Sequence, residues 1–179
     1  MSIARHAVSL ALVLATAAGC GKSDKADKAA AGSSSGSAAP IPATATRLPV
    51  GAFTVPLLPG WTDVSSERAK AGQVGLEYRG GKGRVLLILS PAPTPMPFDP
   101  TDPAACASNG ANVPGVVGSP SVEALPVGQA CVIQTGGATP STMVVLAVGD
   151  HGVMAQCKYA DEADRAACTR VVGGLALAK

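Results

Sequence analysis

From residue 47 to residue 179 the apolar residues arrive in short runs, each closed within a few positions by glycine or proline, of which the 179-residue chain holds 21 and 15. Runs of this length favour strands, because a helix needs roughly ten or more residues of sustained period to bury one face. Phe53-Thr54-Val55 starts a strand that Pro56 ends. Residues 73–78 alternate polar with apolar and, after Gly80-Gly81-Lys82-Gly83, residues 84–89 return as a continuous apolar run, the pattern of a β-hairpin. Further strands are expected at 121–125, 130–134, 142–148 and 153–159, the last two joined by the turn Gly149-Asp150-His151-Gly152. Residues 85–89 and 143–148 are apolar on both faces, which places them centrally with material packed on each side.

Helical signals are fewer. Asp161 suits a cap, Glu162 and Asp164 oppose the positive end of a helix, and Cys168, Val171, Val172 and Leu175 recur on one face, so the chain is expected to close on a helix. Two shorter helices are expected at 65–71, ended by Gly72, and at 103–109, with Asp102 as cap, Pro103 at the first helical position and Gly110 as stop. The predicted class is α+β: an antiparallel sheet with two or three helices laid on it.

Five cysteines punctuate the sequence, and four of them, Cys106, Cys131, Cys157 and Cys168, lie in this domain. An even number in an exported chain implies two disulfides. Of the three connectivities, Cys157–Cys168 is favoured because it joins the last strand to the buried face of the last helix across a short loop, which leaves Cys106–Cys131. A zinc site is disfavoured, since no two cysteines have the close C-x₂-C spacing such sites use. No metal and no cofactor is assigned.

Export is read from the N-terminus. Arg5 and His6, the apolar stretch 7–15 and a closing group of small residues follow the three-part plan of a secretory signal. The stretch is too short to cross a bilayer, which takes roughly 20 apolar residues. Ala17-Ala18-Gly19-Cys20 resembles the lipobox of bacterial lipoproteins, with Ala17 where that family usually has leucine. The resemblance implies cleavage after residue 19 and fatty acyl chains, palmitate among them, on Cys20. Two or more such chains make a stable membrane anchor, at about 0.8 kcal/mol per buried CH₂. Gly21 stands where an aspartate would, by the same resemblance, favour the inner membrane, so the expected address is the cell envelope at the outer membrane.

Residues 20–46 then form a tether. They are rich in Ala, Gly and Ser, offer no large apolar side chain before Ile41, and cannot build a core. A coil of ~25 such residues spans about 25–30 Å. Gly32-x-Ser34-x-Gly36 matches the nucleophile-elbow pattern, yet it lies in low-complexity sequence without the strained strand-to-helix turn that chemistry needs. The domain at 47–179 balances ten basic residues against ten acidic ones, so nothing in its charge suggests nucleic acid as a partner.

The run Phe53-Thr54-Val55-Pro56-Leu57-Leu58-Pro59-Gly60-Trp61 is similar to the opening of PsbP-like domains. That resemblance implies an α/β/α sandwich around an antiparallel sheet and, in many members, a non-catalytic accessory role; it carries over no functional residue, and Trp61 reads as a core anchor. Arg79, Lys82 and Arg84 flank glycines, but their spacing is no phosphate-binding loop, and they read as a solvated hairpin tip. His151 reads as a turn residue. The surface feature singled out is Ser90-Pro91-Ala92-Pro93-Thr94-Pro95-Met96-Pro97-Phe98-Asp99-Pro100, whose alternate prolines enforce an extended conformation; it reads first as a rigid crossover from the central strand to the next helix, and alternatively as a binding segment that presents Met96 and Phe98 to a partner. The sequence thus predicts a non-enzymatic envelope lipoprotein that binds a partner protein or small ligand through its domain; the alternative is an envelope hydrolase with an unrecognised serine-based site. It assigns no oligomeric state.

Overall fold

Strand alternation and glycine punctuation become a sheet in the computed structural model, which describes residues 40–80 and 83–179. The leader, Cys20 and most of the tether lie outside the described residues, as does Lys82. The chain opens with β1 (Arg47–Val50), β2 (Phe53–Pro56) and β3 (Trp61–Asp63), then a short helix α1 (Ser65–Arg68), then the hairpin β4 (Val74–Gly80) and β5 (Gly83–Pro91). Helix α2 (Pro103–Ala111) follows, then a meander of β6 (Ser121–Leu125), β7 (Gly128–Thr135), β8 (Ser141–Val148) and β9 (His151–Lys158), helix α3 (Glu162–Val172) and a last strand β10 (Ala176–Leu177).

Seven strands form one antiparallel sheet in the order β3-β4-β5-β9-β8-β7-β6. One crossover explains that order: the chain leaves β5 in mid-sheet, crosses through the proline-rich strap and α2 to the far edge, and returns strand by strand until β9 pairs with β5. β5, as its doubly apolar sequence requires, is internal, and so is β8.

Each face of the sheet has its own core. On one face Val85, Leu87 and Leu89 of β5, Val153 and Ala155 of β9 and Val144 and Leu146 of β8 pack against Cys168, Val171 and Val172 of α3 and against Phe53 and Val55. Those last two belong to a small sheet, β1-β2-β10, in which Arg47 donates to the Gly174 carbonyl (2.6 Å) and to Thr54 Oγ1 (2.8 Å), tying the C-terminal strand to the N-terminal hairpin. Trp61 is buried and stacks on Tyr78 with centroids 5.4 Å apart, an anchor as expected. On the other face Cys131, Ile133 and Val145 pack under α2 and the strap. The class is α+β, an antiparallel sheet with a C-terminal helix.

The disulfides join Cys106 to Cys131 and Cys157 to Cys168. One pins α2 to β7 and the other pins α3 to β9, so each face is stapled once. Sequence separations of 25 and 11 residues correspond to roughly 3 kcal/mol each in lost chain entropy of the unfolded state.

Three details differ from expectation. The domain begins before residue 47: Ile41, half-buried, packs on the core, and the Leu57 N–H donates to the Thr46 carbonyl. α1 stops at Arg68 rather than 71. α2 runs through Gly110 to Ala111 instead of stopping there, because Gly110 serves packing and not termination: a Cβ on it would stand 2.4 Å from Pro120 Cγ.

Candidate ligand cavity under the proline strap

Alternate prolines hold residues 91–100 extended, and the strap stays close to the sheet because Ala92 N–H continues the β9 ladder by donating to the Gly152 carbonyl (2.9 Å). Gly152 faces the strap: a Cβ there would stand 2.7 Å from Met96 Sδ and 2.8 Å from Ala92 Cβ. The close approach therefore depends on the absence of a side chain. It also orients the strap. Met96 and Phe98 are half-buried and pack on the second core. The two residues, candidates for an exposed binding segment, are thus only partly exposed: they also pack inward, since the apolar surface of β7, β8 and β9 lies directly below.

Beneath them is a cavity of about 210 Å³. The strap contributes Ala92, Pro93, Met96, Pro97 and Phe98 as its roof, α2 and the residues after it contribute Asn109 and Val113, and the sheet contributes Ile133, Met143, Val145 and Met154 as its floor. The lining carries one side-chain amide and no ionisable group. An enclosed apolar cavity of about 150 Å³ already admits benzene; this one is similarly lined and partly open to solvent. All three methionines of the domain, Met96, Met143 and Met154, line this one cavity. Thioether side chains are unbranched and polarizable and reshape around an occupant at little cost.

Soft thioether sulfurs also suit a monovalent soft metal, but the register argues against one ion here. Ala147 pairs with Gly152, the residue under Met96, whereas Met143 pairs with Gln156. Four residues separate those rows, about 13 Å along the strand.

Outside the strap is an open groove of about 650 Å³ that shares Met96 and Phe98 with the cavity as a common wall. Asp99 lies in it, accepting through Oδ1 from Thr101 N (2.8 Å) and Thr101 Oγ1 (2.7 Å). These bonds, the hydroxyl's first, hold its carboxyl below the usual aspartate range. Asp150, at the β8–β9 turn, supplies a second carboxylate to the lining.

The arginines of the β4–β5 hairpin are exposed, as their reading as a solvated tip implies, and they also serve a second purpose. Arg79 and Arg84 are cross-strand neighbours and both reach Glu77, at 2.7 and 3.2 Å. Glu77 is buried, and its carboxyl is held below the ordinary glutamate range, chiefly by the Arg79 hydrogen bond. These guanidiniums neutralise an internal carboxylate. His151 stands exposed at the start of β9, a turn-flanking residue as read. Cys106, Cys131, Cys157 and Cys168 are structural, each in a disulfide.

Sequence reasoning located the strap but missed the cavity. The available signal was the position of the methionines: none occurs among the buried residues of the opposite core, and Met143 and Met154 sit on the strands that the topology brings beneath Met96. No protein-family model matches the chain, and no curated protein matches it.

Proposed function

We propose that this protein is a lipid-anchored, non-enzymatic lipoprotein of the bacterial envelope, held at the outer membrane by acyl chains on Cys20, whose domain binds a small apolar ligand under the proline strap. The observation that carries the binding half is the cavity itself: apolar throughout except for Asn109, lined by three adaptable methionines and roofed by a segment that adds no further secondary structure. Such a lining offers shape and apolar contact rather than proton transfer, which is why binding is favoured over catalysis. The anchoring half is supported by the lipobox-like Ala17–Cys20 segment and by an even cysteine set that pairs completely in the domain. No helix among the described residues is long and apolar enough to cross a membrane.

Methionine-methyl NMR tests the binding half. Titration with hexanol is expected to shift the Met96, Met143 and Met154 methyl resonances together, and Val113→Phe, which fills the cavity from the end of α2, is expected to abolish the shifts while the fold persists. Methyl resonances indifferent to hexanol and to related small apolar probes would overturn the reading.

A further inference from the structure

All four cysteines of the domain are consumed in disulfides, so its oxidisable sulfur is that of Met96, Met143 and Met154, and the fold brings all three to one cavity. We infer that these methionines are a modification site: oxidants of the peroxide class convert them to sulfoxides, and the modified lining no longer holds an apolar ligand. This rests on the cavity being a ligand site, as proposed above.

Exposure, chemistry and packing support the inference. Each of the three residues is partly exposed, and Met96 lines the open groove outside the strap as well as the cavity, so a dissolved peroxide reaches its sulfur first. The sulfur lone pair attacks one peroxide oxygen and the O–O bond breaks. With hydrogen peroxide, the hydroxyl transferred to sulfur gives its proton to the departing hydroxide, which leaves as water; sulfur is oxidised by two electrons and the peroxide is reduced by two. The product replaces an apolar sulfur by a polar group whose oxygen requires a hydrogen-bond donor. Among the lining side chains only the Asn109 amide is a donor, and it already donates to the Ala105 carbonyl (2.8 Å). Three sulfoxides cannot be satisfied there, so they draw in water or turn outward, and either response displaces an apolar occupant. Met96 has the least room, since its Sδ packs so near Gly152 that a Cβ there would stand only 2.7 Å away. An oxygen added on that side pushes the strap off β9. The opposite core contains no methionine, which confines the change to the strap side of the sheet.

The test uses the full chain carrying Cys20→Ser, which removes the sulfur that lipidation would use, so that no detergent competes for the cavity. Hydrogen peroxide is added to the folded protein, peptide mapping by mass spectrometry follows the gain of one oxygen at each methionine, and hexanol is titrated calorimetrically before and after. The inference predicts that Met96 is modified first and that hexanol affinity falls about tenfold or more once all three are sulfoxides. The two methionine sulfoxide reductases, one for each epimer, should restore it. Near-ultraviolet circular dichroism of Trp61, in the opposite core, should stay constant throughout. A variant combining Met96→Leu, Met143→Leu and Met154→Leu should keep after peroxide whatever hexanol affinity it has before. Full conversion with unchanged affinity would overturn the inference while leaving the apolar site standing. So would methionines that resist peroxide while free methionine is oxidised, a loss shared by the leucine variant, or a lost Trp61 signal, which would show that the whole fold had failed. Failure of hexanol to bind before peroxide is added would overturn both readings.

Discussion

Gly152 shows how much of the site one residue can set. With only hydrogen at Cα, it lets Met96 and Ala92 settle against β9. Gly152→Val is expected to lift the strap, lowering unfolding free energy by about 1–3 kcal/mol through overpacking, measurable by denaturant titration. Glu77 makes a second residue-scale prediction. Its carboxyl is held below its ordinary value of 4.5, so the folded state binds its proton less readily than the unfolded state. Its contribution is therefore complete above that value and fades as pH falls through the lowered folded value. The melting-temperature gap between the wild type and Glu77→Gln should be widest near pH 7 and close in acid; a gap that widens in acid would contradict the Arg79–Glu77–Arg84 arrangement. At this scale the disulfide partners were legible, because spacing and expected elements leave a single sensible pairing. The orientation of Met96 and Phe98 was not, because an extended proline run fixes its own path but not which side meets the sheet. That choice is made by Gly152, more than 50 positions away in sequence. Asp164, read as an acid opposing the positive end of α3, is likewise buried by the tertiary fold.

Elements were legible in proportion to their length. Seven strands and both longer helices follow from alternation, apolar runs and caps: Asp102 accepts from Ala104 N–H and Asp161 from Asp164 N–H, both at 2.9 Å. Asp161→Ala is expected to cost about 1 kcal/mol, read as a lowered unfolding midpoint. β1, β3 and β10 escape sequence reading because they are two to four residues long and exist through pairing rather than pattern. The Cys106–Cys131 staple joins α2 to β7, two elements that border the cavity. Replacing both cysteines by alanine should cost about 3–4 kcal/mol in unfolding free energy and weaken hexanol binding, because α2 holds the cavity's Asn109 end in place. Unchanged affinity in a destabilised but folded variant would show that α2 does not shape the site.

Across the molecule, the single crossover between β5 and β6 builds the site. A meander without that crossover would leave one sheet face bare, whereas the excursion carries strap and α2 across it and encloses the cavity. The α+β class was readable from sequence, but the layering depends on strand order, which local patterns do not encode. At the same scale, membrane attachment predicts that Cys20→Ser moves the protein from the detergent-extracted envelope fraction to the soluble one, followed by immunoblotting. The central claim, an occupiable apolar cavity under the strap, is tested most directly by diffraction from crystals pressurised with xenon. The account predicts an anomalous xenon peak among Met96, Met143 and Met154, with the strap unmoved; a strap collapsed onto the sheet, or ordered water filling the space, would contradict it.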